Sequence, residues 1–247
     1  MRNYSGFNQE KFEKIILEEI ARPLIIDIVD NQKDIYRNTL DPFSALIDCM
    51  VRNCSPSNWK DQEVGRQSQK TLQNKVGNLH EYTIDCFDDW ENLDTGKVID
   101  IVSHKNKVIA EIKNKHNTTK GNHKKDIYDD LDSVLKKDYI GYTAYYVEIL
   151  PKNREVYNKN FTPSDNTKNG LHRESRNDIR VIDGASFYEL ISGSANFIKD
   201  LYLQFLPQAL ENAIKNINTG RNANQQLSYP SNLTADKMIL EFFNKAY

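Results

Sequence analysis

Between Lys97 and Lys115 the chain changes period. Elsewhere apolar residues recur mostly at every third or fourth position, but KVIDIVSHKNKVIAEIKNK alternates in twos around a polar SHKN. Such alternation marks strands with one buried face, and a short polar break between two such runs makes them a hairpin. A hairpin set among helices, with further strands after it, places the chain in the α/β (α+β) class. If the turn is symmetric at Lys105 and Asn106, opposed residue numbers sum to 211. Ser103 then faces Val108, and Asp100 faces Glu111. Lys113, two residues on, shares the face of Glu111, whereas Ile101, Ala110 and Ile112 point into a core. Two carboxylates directly opposed repel each other, so a positive group is expected between them.

The remaining elements follow from spacing and punctuation. A first helix is expected from Asn8 to Ile20 on Phe12, Ile15, Ile16 and Ile20, ended by Pro23. Asp41 followed by Pro42 reads as an N-cap and first helical position, opening a second helix that carries Phe43, Leu46, Ile47 and Met50. A long helix is expected from Asn58 to Trp90, with Gly65 or Gly77 as its candidate break. After the hairpin come a helix (Asn122–Lys137), a strand (Gly141–Leu150), a long polar loop (Pro151–Asp178) and a strand (Ile179–Ile182). Helices at about 185–191, 195–216 and 234–245 complete the chain.

No apolar run approaches the roughly 20 residues of a membrane span, and the N-terminal segment lacks the apolar core of a secretory signal. Three cysteines, Cys49, Cys54 and Cys86, show no metal-ligand spacing and read as reduced thiols. A cytoplasmic protein with no membrane partner is expected.

Two carboxylates and one ammonium on a strand pair have a chemical use. Carboxylate oxygens suit Mg²⁺, which retains water and lowers its pKa, and a lysine ammonium can hold that water or face the charge that grows on a phosphate. Phosphodiester hydrolysis needs these functions. The bland alternative is a solvated strand face.

Asp100, ten further residues, then Glu111-Ile112-Lys113 resembles the PD-(D/E)XK nuclease motif, with Ile99 in place of its proline. Together with NTLDPFSALID, VGNLHEYTID, VIAEIKNKHNT and DIRVIDGASFYELISGSANFIKDL, the text resembles type II restriction endonucleases that cut GGNCC or GGWCC sites. The resemblance implies a central mixed β-sheet flanked by helices, with extra N- and C-terminal helices. It implies one domain over residues 1–247, with a catalytic core at about 58–150, a recognition loop at about 151–182 and a helical part at 185–247. It assigns catalysis to Asp100, Glu111 and Lys113, with Asp100 and Glu111 as Mg²⁺ ligands. It further implies double-stranded DNA as substrate, a homodimer, and a DNA methyltransferase as a genetic rather than physical partner. Alternatives that keep the residues are a structure-selective repair nuclease, a junction resolvase, or a DNA-binding protein without catalysis. A third acidic ligand stays unassigned, because the helical wheel turns Glu81 away from Leu79, Thr83 and Phe87, towards solvent.

The net charge is −2, yet from Ser103 to Lys125 seven lysines stand against the single Glu111. A basic segment contiguous with the site is where a DNA backbone should lie. The candidates there are Lys115, His116, Asn117, Lys120 and Lys124. Arg173 and Arg176, in the long loop, are candidates for reading guanine edges. Phe197, Leu201, Phe205 and Leu206, with Phe242 and Phe243, are the candidate dimer surface.

Overall fold

The computed structural model describes residues 2, 4–30, 35–93, 98–119, 121–165, 171–230 and 233–247. The sheet is built on β2 (Ile101–Ser103) and β3 (Val108–Lys115), which pair antiparallel. Lys97, the expected start of the hairpin, falls outside the described residues. β4 (Thr143–Leu150) lies parallel to β3, reached through the crossover helix α5 (Gly121–Lys137), and β8 (Ile179–Asp183) lies parallel to β4. Short edge strands β1 (Glu91–Asn92) and β5 (Asn158–Asn160) give the order β1-β2-β3-β4-β8-β5, a mixed six-stranded sheet. β6 (Ser164–Asp165) and β7 (Leu171–His172) form a separate ribbon within the long loop.

Alternation along β3 and β4 separates two cores. Ala110, Ile112, Tyr145, Val147 and Ile149 face the larger one, with Phe12, Ile84, Phe187 and Phe197. Ile109, Ala144 and Tyr146 face the smaller one, under Tyr128, Leu131 and Leu135 of α5.

The N-terminal helix does not stop at Pro23. α1 (Gln9–Ile15) runs into a π-helical stretch (Ile16–Ala21), then α2 (Arg22–Ile25), then a second π stretch (Ile26–Asp30). Arg22 N–H bonds the Leu17 carbonyl, so Pro23 falls at the start of a fresh α segment, where a missing donor costs little. α3 (Pro42–Arg52) begins as expected, with the Asp41 carboxylate accepting from Phe43 N–H at 2.9 Å. α4 (Pro56–Ile84) is unbroken at both glycines and ends earlier than its apolar spacing suggests, in turns leading to Asp89, whose φ is +66°.

α6 (Gly184–Ser192), α7 (Phe197–Asp200), a π stretch (Leu201–Phe205), α8 (Leu206–Thr219) and α9 (Lys237–Ala246) follow. Phe197, Leu201, Phe205 and Phe243 are buried within the chain and Leu206 packs against the same core, so most of the expected dimer surface is interior. Only Phe242 of that set is largely exposed. No described helix is long and apolar enough to cross a membrane.

Candidate active site

The register fixes the hairpin. Ile101 pairs with Ala110, Val102 with Ile109 and Ser103 with Val108, so opposed numbers sum to 211. The Ser103 hydroxyl holds the turn by accepting from the Asn106 backbone and side-chain amides. Ladder pairing then stops one residue short of expectation. Asp100 N–H bonds the Ala110 carbonyl at 3.0 Å, and its carboxylate accepts from Ile112 N–H at 2.7 Å. Asp100 is therefore not the ladder partner of Glu111, and its side chain caps the strand pair instead.

The carboxyls still meet. Burial pushes Glu111 up to about 7, and the charge of Asp100 and a hydrogen bond from its side chain add to this. Lys113, 2.5 Å from Glu111 Oε1, pulls the other way. Burial alone would lower the Lys113 ammonium, but Glu111, Asp100 and Glu81 outweigh it and hold the group above its ordinary value.

Glu81 overturns the helical-wheel reading. It is half-buried, and burial pushes it up to about 7, helped by Asp100 and Glu111 and opposed by Lys113. A wheel locates the apolar face of α4 but not what lies over its other faces. Here Glu81 lines a cleft of about 970 Å³ together with Lys113, Lys115 and Thr118, closed on another side by Phe242 and Phe243. No three ligating side chains already converge on one point among the described residues. Asp100 and Glu111 are instead held by Ile112 N–H and the Lys113 ammonium. Neighbouring His80 is structural: its Nδ1 lies 3.0 Å from the Tyr188 hydroxyl, and burial lowers it to about 4.

The basic segment divides. Lys115, His116 and Asn117 stand at the C-terminal end of β3, where the cleft opens, with Lys115 and Asn117 exposed. Lys120 lies outside the described residues. Lys105 pairs with Asp89 at the hairpin tip, the other end of β3 from the site. Lys124 turns inward, 2.5 Å from the buried Glu148 and 5.4 Å above the Tyr146 ring. Glu148 also accepts from the Tyr157 hydroxyl, and it pairs in register with Lys113. A lone carboxylate inside the apolar run TAYYVEIL was the available signal for this second cluster.

Arg173 and Arg176 are likewise engaged. Arg173 pairs with Asp129 at 2.6 Å and Asp165 at 3.3 Å; Arg176 pairs with Asp178 at 2.6 Å and with Asp132. Both tie the long loop to the acidic side of α5. Arg176→Ala is therefore expected to lower stability by about 1–2 kcal/mol, the value of charge-assisted bonds reduced by partial solvent screening. Thermal melting checks this, and an unchanged midpoint would show that the ion pairs hold nothing.

The chain matches the family model described as Eco47II restriction endonuclease over residues 6–215. It is 35% identical over 220 residues to the type II restriction enzyme Eco47II of Escherichia coli, covering 87% of each chain. It is 31% identical over 182 residues to the type II restriction enzyme Sau96I of Staphylococcus aureus, covering 73% of this chain and 69% of that one.

Proposed function

We propose, since the chain belongs to the Eco47II restriction endonuclease family and is a type II site-specific endonuclease, that Asp100, Glu111 and Lys113 carry its Mg²⁺-dependent cleavage of double-stranded DNA. The observation that supports this most is the coupling of Glu81, Asp100 and Glu111 to the one Lys113 ammonium, beside an open cleft that Glu81 and Lys113 line. Ionised together, Glu81, Asp100 and Glu111 leave two negative charges after Lys113, which is the charge of one divalent cation. The donor set is all oxygen, as Mg²⁺ prefers. Asp100 and Glu111 would hold the cation, with Glu81 as third carboxylate. When bound, it supplies positive charge against the phosphate and lowers the pKa of a neighbouring water. Lys113, kept protonated by its carboxylate neighbours, orients that water and faces the charge that develops on the phosphate oxygens.

The substrate reading is a short palindromic GG/CC-type site cut in both strands by a homodimer, with a methyltransferase as genetic partner. Lys115, His116 and Asn117 at the end of β3 are assigned to the DNA backbone, as is Lys120; Lys124 would reach it only by giving up Glu148. Arg173 and Arg176 would reach base edges only by exchanging their carboxylate partners. Lys115→Ala should weaken binding to every sequence alike and make the salt dependence shallower by about one charge. A loss confined to the cognate site would move Lys115 from backbone to base.

Digestion of plasmid DNA with Mg²⁺, followed by sequencing of the ends, tests the whole reading. One interrupted GG/CC sequence at every end is expected; scattered ends would remove site specificity from this chain.

The titration of the site gives a second check. Glu81 and Glu111 release their protons near 7 in the folded protein but near 4.5 when exposed. Protonation thus favours the folded state below about 4.5, and this contribution is lost as pH rises through 7. Divalent-cation binding follows the opposite sign, because the cation displaces those protons. Ca²⁺ affinity of the DNA-free protein, read by calorimetry, should rise at least about tenfold from pH 5.5 to 7.5 and release protons. Affinity independent of pH would separate the carboxylates from the cation.

A further inference from the structure

The helix α3 wears its apolar stripe on the outside. Phe43, Leu46, Ile47, Met50 and Val51 are 60–80% exposed, and no residue of the helix is buried. What faces α4 is the smaller and more polar side, Ala45, Asp48 and Cys49, each half-buried. Half of the large apolar side chains exposed among the described residues fall within residues 26–51.

We infer that this face of α3 is the surface on which a second copy of the chain docks. The inference rests on the homodimer reading above and names the surface that reading left without residues, since most of the C-terminal candidates are core. The five side chains leave roughly 650 Å² in water per copy, so two copies could bury up to about 1,300 Å² through them, enough for a standard-size interface. The stripe is also self-complementary. Phe43 and Val51 lie four residues either side of Ile47, so an antiparallel crossing at Ile47 sets Phe43 of each helix against Val51 of the other.

Charge argues against other occupants. The stripe contains no cation for a DNA phosphate or an anionic lipid, and Arg52 is already paired with Asp48 on its own helix. None of the five stripe residues lines the cleft that Glu81 and Lys113 share, so pairing at α3 does not cover it.

Sedimentation of the full chain tests this. The wild type is expected to run as a dimer. Ile47→Glu with Met50→Glu should run as a monomer, with association at least about 100-fold weaker and an unchanged far-ultraviolet circular dichroism spectrum, because both side chains already stand in water in one copy. In a Cys49→Ser, Cys54→Ser background, Ile47→Cys should form a covalent dimer on mild oxidation, whereas Val156→Cys, exposed elsewhere, should not. A double variant that stays dimeric, a dimer that does not cross-link at Ile47→Cys, or a wild type that stays monomeric with and without DNA overturns the interface. Plasmid cleavage separates the two readings. A monomer that cuts at one site refutes the α3 interface and the homodimer but not the nuclease assignment; a wild-type dimer dissolved by the variant but inert on plasmid refutes only the nuclease assignment.

Discussion

Lys113→Ala is expected to reduce plasmid cleavage by about a thousandfold or more, while specific DNA binding with Ca²⁺ persists. Removing one electrostatic group that acts on the transition state typically lowers rates by about 10² to 10³. Here the loss is compounded, because Lys113 is the ammonium set against Glu81, Asp100 and Glu111. Without it Glu81 and Glu111 move further towards their protonated forms and the cation site weakens. Glu111→Ala should be as damaging to cleavage, yet it removes a negative charge beside the phosphate, so metal-free binding should tighten. Conversion of supercoiled plasmid to nicked and linear forms reads the rate. Cleavage by either variant within about tenfold of wild type, a barrier change of only about 1.4 kcal/mol, would remove that residue from catalysis.

Gly184→Ala is expected to cost at least about 3 kcal/mol, a drop of roughly 6–12 °C in melting temperature. Gly184 opens α6 directly after Asp183, whose carboxylate caps the helix by accepting from Ser186 N–H. An added Cβ would lie 2.4 Å from the Ile149 carbonyl oxygen and 2.7 Å from its Cα. Both are backbone atoms of β4 and cannot rotate aside. Relief would require β4 and β8 to part where Glu148 pairs with Asp183, beside the Lys124 cluster. Gly77→Ala is the matched control. An added Cβ there meets nothing within 4 Å, and the more helix-favouring residue should stabilise α4 by about 0.4–1 kcal/mol. Calorimetric melting of the two variants decides the matter; equal midpoints would show that β4 yields where the close approach says it cannot.

Whatever depends on near neighbours is legible in the amino-acid order alone. The 211 register follows from a four-residue turn and strict alternation, both readable within twenty residues, and it put Glu111 and Lys113 on one face with Ala110 and Ile112 in the core. The Asp41–Pro42 helix start is local in the same way, since the cap bonds a residue two positions on. The tertiary structure decided what depends on distant partners. Lys124 turned inward because Glu148, 24 residues away, lies beneath it, and Arg173 was claimed by Asp129, 44 residues back. Periodicity shows that a helix has an apolar face but not whether that face is covered or what covers the others. That is why Glu81 came into the cleft, Phe197, Phe205 and Phe243 became core, and the stripe of α3 was left in water. Charge behaves alike: a run of lysines is visible in sequence, but whether it stays free for DNA depends on which acidic elements fold against it.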